Sequence, residues 1–163
     1  MKKQLKLCAL PLAAAMLLSG CGGGDAGEQV GFLTITNASV TELNGSYGDG
    51  SATVTDVSKI AATGSDPEVC NFKFDNAGQL GGSGVAAGDV RYQPNTDVLY
   101  RLNLTVRGRA YSTANGDGDD TDIHHSNDNI ELDRKKLTAT DGSGDTLRVT
   151  ALLPMHGGRP TGC

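Results

Sequence analysis

The densest group of potential metal-binding side chains lies in residues 115–122, where Asp and Asn alternate with Gly. Hard cations such as Ca²⁺ take several oxygen ligands, and a tightly turning backbone can deliver them from one short segment. The pattern is typical of a calcium loop, and the predicted ligands are Asp117, Asp119, Asp120 and Asp122. The alternative interpretation is a solvated loop between two strands.

Two histidines follow this loop and offer softer ligands. The EF-hand pattern fails, because a loop starting at Asp117 carries Asp122 at the glycine position and Asp128 at the glutamate position. His124 and His125 are adjacent, so on a strand their side chains would point to opposite faces. A transition-metal site would therefore combine only one of them with Asp122 or Asp128.

The serine closest to a catalytic pattern is Ser83, in Gly81-Gly82-Ser83-Gly84. A nucleophile elbow needs Gly-x-Ser-x-Gly at a strand-to-helix turn, and the sequence has neither that spacing nor a helical pattern there. The segment predicts a flexible loop or a glycine-rich edge strand. No enzymatic activity is expected.

A stripe of basic side chains follows the strongest period-2 pattern in the chain. Residues 98–111 alternate apolar and polar types, with Arg101, Arg107 and Arg109 among the polar positions and Gly108 marking a bulge or bend. On a single strand these arginines would share one face. This stripe is the predicted partner surface; the alternative is that acidic residues on neighbouring strands neutralise it.

The elements that must position these residues are β-strands. No window of ten or more residues has a helical period, and apolar segments recur at about 8–12 residues with Gly, Asn, Asp and Ser between them. The predicted strands are 31–36, 40–43, 51–60, 69–75, 85–92, 98–111, 137–140 and 146–152. This spacing predicts one all-β domain over residues 31–163, a small antiparallel β-sandwich or barrel.

The first 24 residues resemble the export signal of the bacterial lipoprotein class. Lys2, Lys3 and Lys6 make a positive start, and the apolar run 7–18 is too short to span a bilayer, which needs about 20 residues. Leu18-Ser19-Gly20-Cys21 then resembles a lipobox, the site at which a prelipoprotein is cut before a cysteine that becomes lipidated.

The resemblance implies a cleaved signal peptide over residues 1–20, acyl chains on Cys21 and a glycine-rich flexible tether over residues 21–30. Two or more acyl chains anchor a protein firmly in a membrane. Gly22, rather than Asp, after the lipidated cysteine implies sorting to the outer membrane. The expected location is therefore the bacterial cell envelope, with the membrane as one partner through the lipid anchor.

Two cysteines remain for the folded domain. Cys8 would leave with the signal peptide and Cys21 would carry lipid, so Cys70 and Cys163 form an even pair in an oxidising compartment. Cys70 shares its predicted strand face with two phenylalanines, so a Cys70–Cys163 disulfide would be shielded from solvent.

Charge limits the partners of the mature chain. Without residues 1–20, 11 basic and 19 acidic residues give a formal net charge of −8. This balance argues against nucleic acid and is compatible with a basic protein partner or with divalent cations. The expected function is a non-enzymatic binding or structural module of the outer membrane or periplasm, with an envelope protein as partner.

Two alternative functions stay open. Periplasmic lysozyme inhibitors are also small, acidic, disulfide-clamped β-barrels, and their inhibitory loop resembles Ser-Gly-x-x-Tyr. The nearest match is Asn44-Gly45-Ser46-Tyr47, which differs in order and spacing. The second alternative is an envelope domain stabilised by Ca²⁺ at the Asp-rich loop; no other cofactor is expected.

Overall fold

Residues 32–48, 54–155 and 158–163 are described by a computed structural model. Their regular structure consists of ten strands and one short 3-10 turn, Thr41–Leu43. The strands are β1 Leu33–Thr36, β2 Gly45–Tyr47, β3 Val54–Ile60, β4 Val69–Gly78, β5 Val85–Tyr92, β6 Leu99–Val106, β7 Arg109–Ser112, β8 Thr121–His124, β9 Asn129–Ala139 and β10 Thr146–Pro154.

The strands form one antiparallel sheet in the order β2-β1-β10-β9-β7-β6-β5-β4-β3, and β8 also pairs with β9. One edge of β9 pairs with β10, and its other edge is shared between two strands. β8 pairs with its beginning, as far as Leu132, and β7 pairs with its end, from Thr138 onward. The loop between β7 and β8 therefore lies beside the unshared middle of β9, and this loop is the Asp-rich segment.

The sheet curls around a single core. Tyr47 at the end of β2 forms an isolated antiparallel bridge with Gln79 just after β4, although β2 and β3 are the two ends of the sheet order. Inward positions alternate along the strands with at most 2% of their surface exposed, as in Leu33, Ile35, Phe72, Phe74, Leu102, Leu104, Leu147 and Val149. The predicted all-β, antiparallel architecture is confirmed; in the described residues the sheet is not closed into a barrel and is consistent with a small sandwich.

The prediction of one long strand over residues 98–111 is wrong. Arg107 and Gly108 have φ values of 49° and 77°, and Val106 pairs directly with Arg109. Two central residues with positive φ make a tight turn of the I′ type, whose twist suits a β-hairpin. The chain therefore reverses at Arg107-Gly108, and β6 and β7 are neighbouring strands.

Other strand predictions hold more closely. Residues 69–75 are the first part of β4, and Cys70, Phe72 and Phe74 are buried on its core side. The loop Asp141–Asp145 joins β9 to β10, as predicted for a hairpin. β9 begins at Asn129 rather than at 137, and the predicted strand at 40–43 is a 3-10 turn at Thr41–Leu43.

The predicted signal peptide, the lipobox with Cys21 and the tether lie outside the described residues. Within the part of the chain that the structure describes, no helix is long and apolar enough to cross a membrane.

Candidate functional site

The side chains most suited to ligand binding gather where β8 turns into β9. We call this region the cleft end; it consists of the turn residues 125–128 and the segment 158–163. β9 starts here at Asn129 and runs 11 residues to Ala139 at the opposite end of the sheet. At about 3.3 Å per residue, the two ends of the sheet are more than about 30 Å apart along this strand.

The disulfide Cys70–Cys163 holds the segment 158–163 against the sheet. The predicted pairing is confirmed, with a Cα–Cα distance of 5.6 Å and a sequence separation of 93. Cys70 is fully buried and Cys163 is 5% exposed. The shielding expected from the strand pattern is therefore present.

Hydrogen bonds fix the same segment at two further points. The buried hydroxyl of Tyr92 donates to the carbonyl oxygen of Cys163 at 2.6 Å, and the amide of Asn95 donates to the carbonyl of Gly162 at 2.8 Å. Burial raises the pKa of Tyr92 to about 12, against a smaller opposing effect of the Arg159 charge. The segment is thus tied to β4, β5 and the turn after β5.

An open cleft of about 570 Å³ lies between this segment and the β8–β9 turn. Its lining consists of Asn95, His125, Asp128, Gly158, Arg159, Pro160, Thr161, Gly162 and Cys163. The lining combines backbone groups with one imidazole, one carboxylate and one guanidinium. Such a set can orient a polar ligand by hydrogen bonds and charge.

The charged groups of the cleft are already oriented by neighbours. Arg159 Nη2 lies 2.6 Å from Asp128 Oδ1, and 18% of the arginine side chain is exposed. His125 Nε2 donates to the Thr96 carbonyl at 2.9 Å, while its ring meets the Tyr92 ring edge-on at a centroid distance of 5.8 Å. These contacts hold the side chains in place before any ligand arrives.

A second cluster lies on the outer face of the same hairpin. Asp122 in β8 is directly opposite Glu131 in β9, and His124 lies two residues further along β8. One ligand atom from each of the three side chains lies within 4.8 Å of the others, and His124 Nε2 is 3.2 Å from Glu131 Oε2. His124 is the last residue of β8 and His125 lies in the turn that follows, so the two adjacent histidines belong to different environments.

The Asp-rich loop is organised by a buried lysine that the sequence analysis did not single out. Lys135 in β9 points into the core side, and its Nζ donates to the carboxylate and to the carbonyl of Asp117, each at 2.8 Å. A third, short hydrogen bond goes to the carbonyl of Asp119. An ammonium group is thus held by three oxygens of the loop, one of which belongs to the carboxylate of a predicted calcium ligand.

The four predicted calcium ligands are not brought to one point. The carboxylate of Asp117 faces Lys135, and Asp122 lies in β8 beside Glu131. Asp119 and Asp120 are exposed, and within the described residues each is hydrogen-bonded through its backbone carbonyl. The carbonyl of Asp119 accepts from Lys135, and that of Asp120 accepts from the amide of Asp133. Calcium binding stays a prediction.

The three predicted partner-surface arginines are separated by the turn at residues 107–108. Arg101 lies on the outer face and donates to Asn115 Oδ1 at 2.6 Å. Arg109 pairs with inward-facing Val106, so it lies on the other side of the sheet, where it is 3.8 Å from Asp145 Oδ2. Arg107 lies in the turn and donates to the carbonyl of Glu42 at 3.3 Å.

Among the described residues, the alternative interpretation, acidic neutralisation of the stripe, applies to Arg109 beside Asp145, and a separate ion pair lies next to the stripe in β5. Asp89 accepts hydrogen bonds from Arg91 at 2.7 Å and from Asn103 at 3.1 and 3.2 Å. The outer face of β5 and β6 is therefore a hydrogen-bonded polar network.

The segment compared with the lysozyme-inhibitor loop is not a protruding loop. Gly45–Tyr47 is strand β2, and Tyr47 is fully buried with its hydroxyl donating to the Leu43 carbonyl at 2.8 Å. Ser83 is exposed, and its hydroxyl is 3.5 Å from an arginine nitrogen of Arg107. Comparison of the chain with protein-family models, with curated proteins and with solved structures finds no match.

Proposed function

We propose that the protein is a lipid-anchored, non-enzymatic binding module of the bacterial cell envelope, which presents the cleft between segment 158–163 and the β8–β9 turn to an envelope protein. The observation that carries the proposal is the covalently fixed cleft. A disulfide and two hydrogen bonds hold one wall of it, so little conformational entropy remains to be lost when a partner binds.

The position of the cleft relative to the anchor supports this proposal. β1 begins at Leu33, opposite Ala151 in β10, and β10 ends at Pro154, which pairs with Asn129 at the cleft end. The chain from Cys21 therefore reaches the fold on the cleft side of the sheet. Residues 21–32 can span at most about 40 Å when fully extended, so a partner in the cleft would lie near the membrane surface.

The engagement of the most reactive side chains supports binding rather than catalysis. Cys70 and Cys163 are consumed in the disulfide. A disulfide that clamps the binding wall also suits an oxidising compartment outside the cytoplasm.

The charge of the mature chain favours a partner with a basic surface. A net charge of −8 would attract such a protein over distances up to about the Debye length, roughly 8–10 Å at physiological salt. Binding should weaken as salt is raised, mainly through slower association.

The anchoring part of the proposal is tested by expressing the wild type and Cys21→Ser in a Gram-negative host. The expected result is wild-type protein in the outer-membrane fraction, with an acylated N-terminal cysteine found by mass spectrometry, and Cys21→Ser outside that fraction. The Cys70→Ala/Cys163→Ala double variant controls for general loss of cysteine and should stay acylated. Outer-membrane location of Cys21→Ser would overturn the proposal.

A further inference from the structure

We infer that Asp122, His124 and Glu131 form a binding site for a divalent transition-metal ion, with Zn²⁺ the ion best matched by the donors. The site lies on the outer face of the β8–β9 hairpin and does not depend on the proposed binding module. It differs from the predicted calcium loop in ligand chemistry and shares only Asp122 with it.

The geometry of the cluster fits one ion. Zn²⁺ binds imidazole nitrogen and carboxylate oxygen at about 2.0–2.2 Å, so two tetrahedral ligands of one ion lie about 3.3–3.5 Å apart. His124 Nε2 and Glu131 Oε2 are already 3.2 Å apart, and an Asp122 oxygen lies within 4.8 Å of both. A rotamer change that brings an Asp122 oxygen to that same spacing completes a three-ligand set.

The donor types select the class of ion. An imidazole nitrogen with two carboxylates suits Zn²⁺ and neighbouring first-row ions, whereas Ca²⁺ and Mg²⁺ prefer oxygen ligands only. Three protein ligands leave a fourth position open for water or another donor.

A nearby amide supplies an independent observation that points to a ligand. Asn129 is the cross-strand partner of His124, so both side chains lie on the same face of the hairpin. Its Oδ1 is inaccessible to solvent and has no hydrogen-bond partner among the described residues. A buried amide oxygen without a partner calls for a bound water or ion, and here it belongs to the cross-strand neighbour of His124.

The scaffold holds the ligands on rigid elements. All three side chains come from paired strands, and the alternate positions Thr121, Ile123, Ile130 and Leu132 are buried in the core face. The outer face stays accessible, since the His124 and Glu131 side chains are 38% and 33% exposed. A metal ion can therefore enter from solvent without any rearrangement of the sheet.

The test uses the oxidised, lipidated protein purified in detergent with a histidine-free tag and stripped with EDTA. Calorimetric titration with ZnCl₂ should show one ion per chain. His124→Gln and Glu131→Gln should each weaken binding at least about tenfold, equivalent to ~1.4 kcal/mol. His125→Gln and Asp133→Asn, which change a neighbouring histidine and a neighbouring acid, should bind as the wild type does.

A second readout separates loss of the site from loss of the fold. In EDTA, His124→Gln should unfold at the same temperature as the wild type, while Co²⁺ added to the wild type alone should give the visible absorption of a nitrogen-ligated ion. The inference is overturned if the wild type binds no Zn²⁺ at about 100 µM. A dissociation constant of that size corresponds to a binding free energy of about −5.5 kcal/mol. Equal Zn²⁺ affinity of His124→Gln and wild type would overturn it as well.

Discussion

Lys135 Nζ lies 2.8 Å from Asp117 Oδ1, on a lysine side chain of which only 2% is exposed. The carbonyls of Asp117 and Asp119 accept its other two hydrogen bonds, so all three ammonium protons are used. An internal cation thus organises the loop in which alternating Asp and Gly predict a calcium site.

Removing the carboxylate at position 117 should destabilise the fold. Asp117→Ala leaves the buried ammonium of Lys135 without its counter-charge, and breaking a fully buried pair costs about 3–5 kcal/mol. Because 37% of the Asp117 side chain is exposed, the expected loss is at or below the lower end of that range. Asp119→Ala is the matched control: residue 119 contacts Lys135 through its backbone carbonyl, so the free energy of unfolding should change by less than about 0.5 kcal/mol. Urea unfolding followed by circular dichroism measures both, and equal losses would contradict the assigned roles.

Calcium should have little effect on stability. Lys135 already takes up the oxygens of Asp117 in the loop. Ca²⁺ at about 10 mM, roughly ten times the millimolar dissociation constant of extracellular calcium-binding modules, should therefore not shift the melting temperature of the wild type. Binding to the folded state would raise that temperature by mass action. A rise that disappears in Asp117→Ala would contradict this expectation and support the calcium-stabilised alternative.

Loss of the disulfide should cost more than any single hydrogen bond. The chain-entropy model for cysteines 93 residues apart gives about 4–5 kcal/mol, so Cys70→Ala/Cys163→Ala should lose about that much free energy of unfolding. Cys21→Ser, which leaves the domain disulfide intact, is the control and should unfold as the wild type does. A loss below about 1 kcal/mol in the double variant would mean that the remaining contacts alone fix the segment 158–163.

Tyr92 predicts an alkaline limit to stability. Its pKa is about 12 in the folded state and 10.0 in the unfolded chain, because burial disfavours the phenolate. Below pH 10 the Tyr92 hydroxyl keeps its proton in both states, and the free energy of unfolding does not depend on its titration. Between pH 10 and 12 only the unfolded state releases the proton, so the free energy of unfolding falls as pH rises. Two pKa units correspond to about 2–3 kcal/mol.

The variant Tyr92→Phe isolates this effect. At pH 7 it should lose about 1 kcal/mol, because the hydrogen bond to the Cys163 carbonyl is gone. Between pH 10 and pH 12 its stability should fall by about 2 kcal/mol less than that of the wild type, which urea unfolding at a series of pH values would measure. Parallel curves over that range would show that Tyr92 does not carry the linkage.

The sequence predicts those parts of the fold that depend on local alternation. Cys70, Phe72 and Phe74 occupy every second position of one strand, and all three are buried as expected. The same alternation misled at residues 107–108, because the turn moves the inward positions from even to odd numbers, so that Tyr111 is buried and Ala110 is exposed. Arg-Gly also lacks the Asn or Asp that usually marks such a turn.

The buried lysine of the Asp-rich loop, Lys135, was harder to predict than the strands. Lys135 stands two residues before buried Leu137, so strand alternation puts it on the core side. The sequence contains that clue. A β-bulge near Arg134, whose φ is 53°, shifts the register of β9 against β10, so counting forward from Leu132 gives the opposite face. The cleft could not be predicted at all, since its walls come from segments joined only by tertiary contacts.

Site-specific photo-crosslinking in living cells tests whether the cleft is the surface presented to an envelope partner. A photoreactive residue replaces exposed Thr161 in the cleft or, as control, exposed Ala110 near the opposite end of the sheet. Both variants must be acylated and present at the wild-type level. We expect one discrete crosslinked envelope protein from position 161 and none from position 110. Equal crosslinking from both positions, or none from position 161, would contradict it.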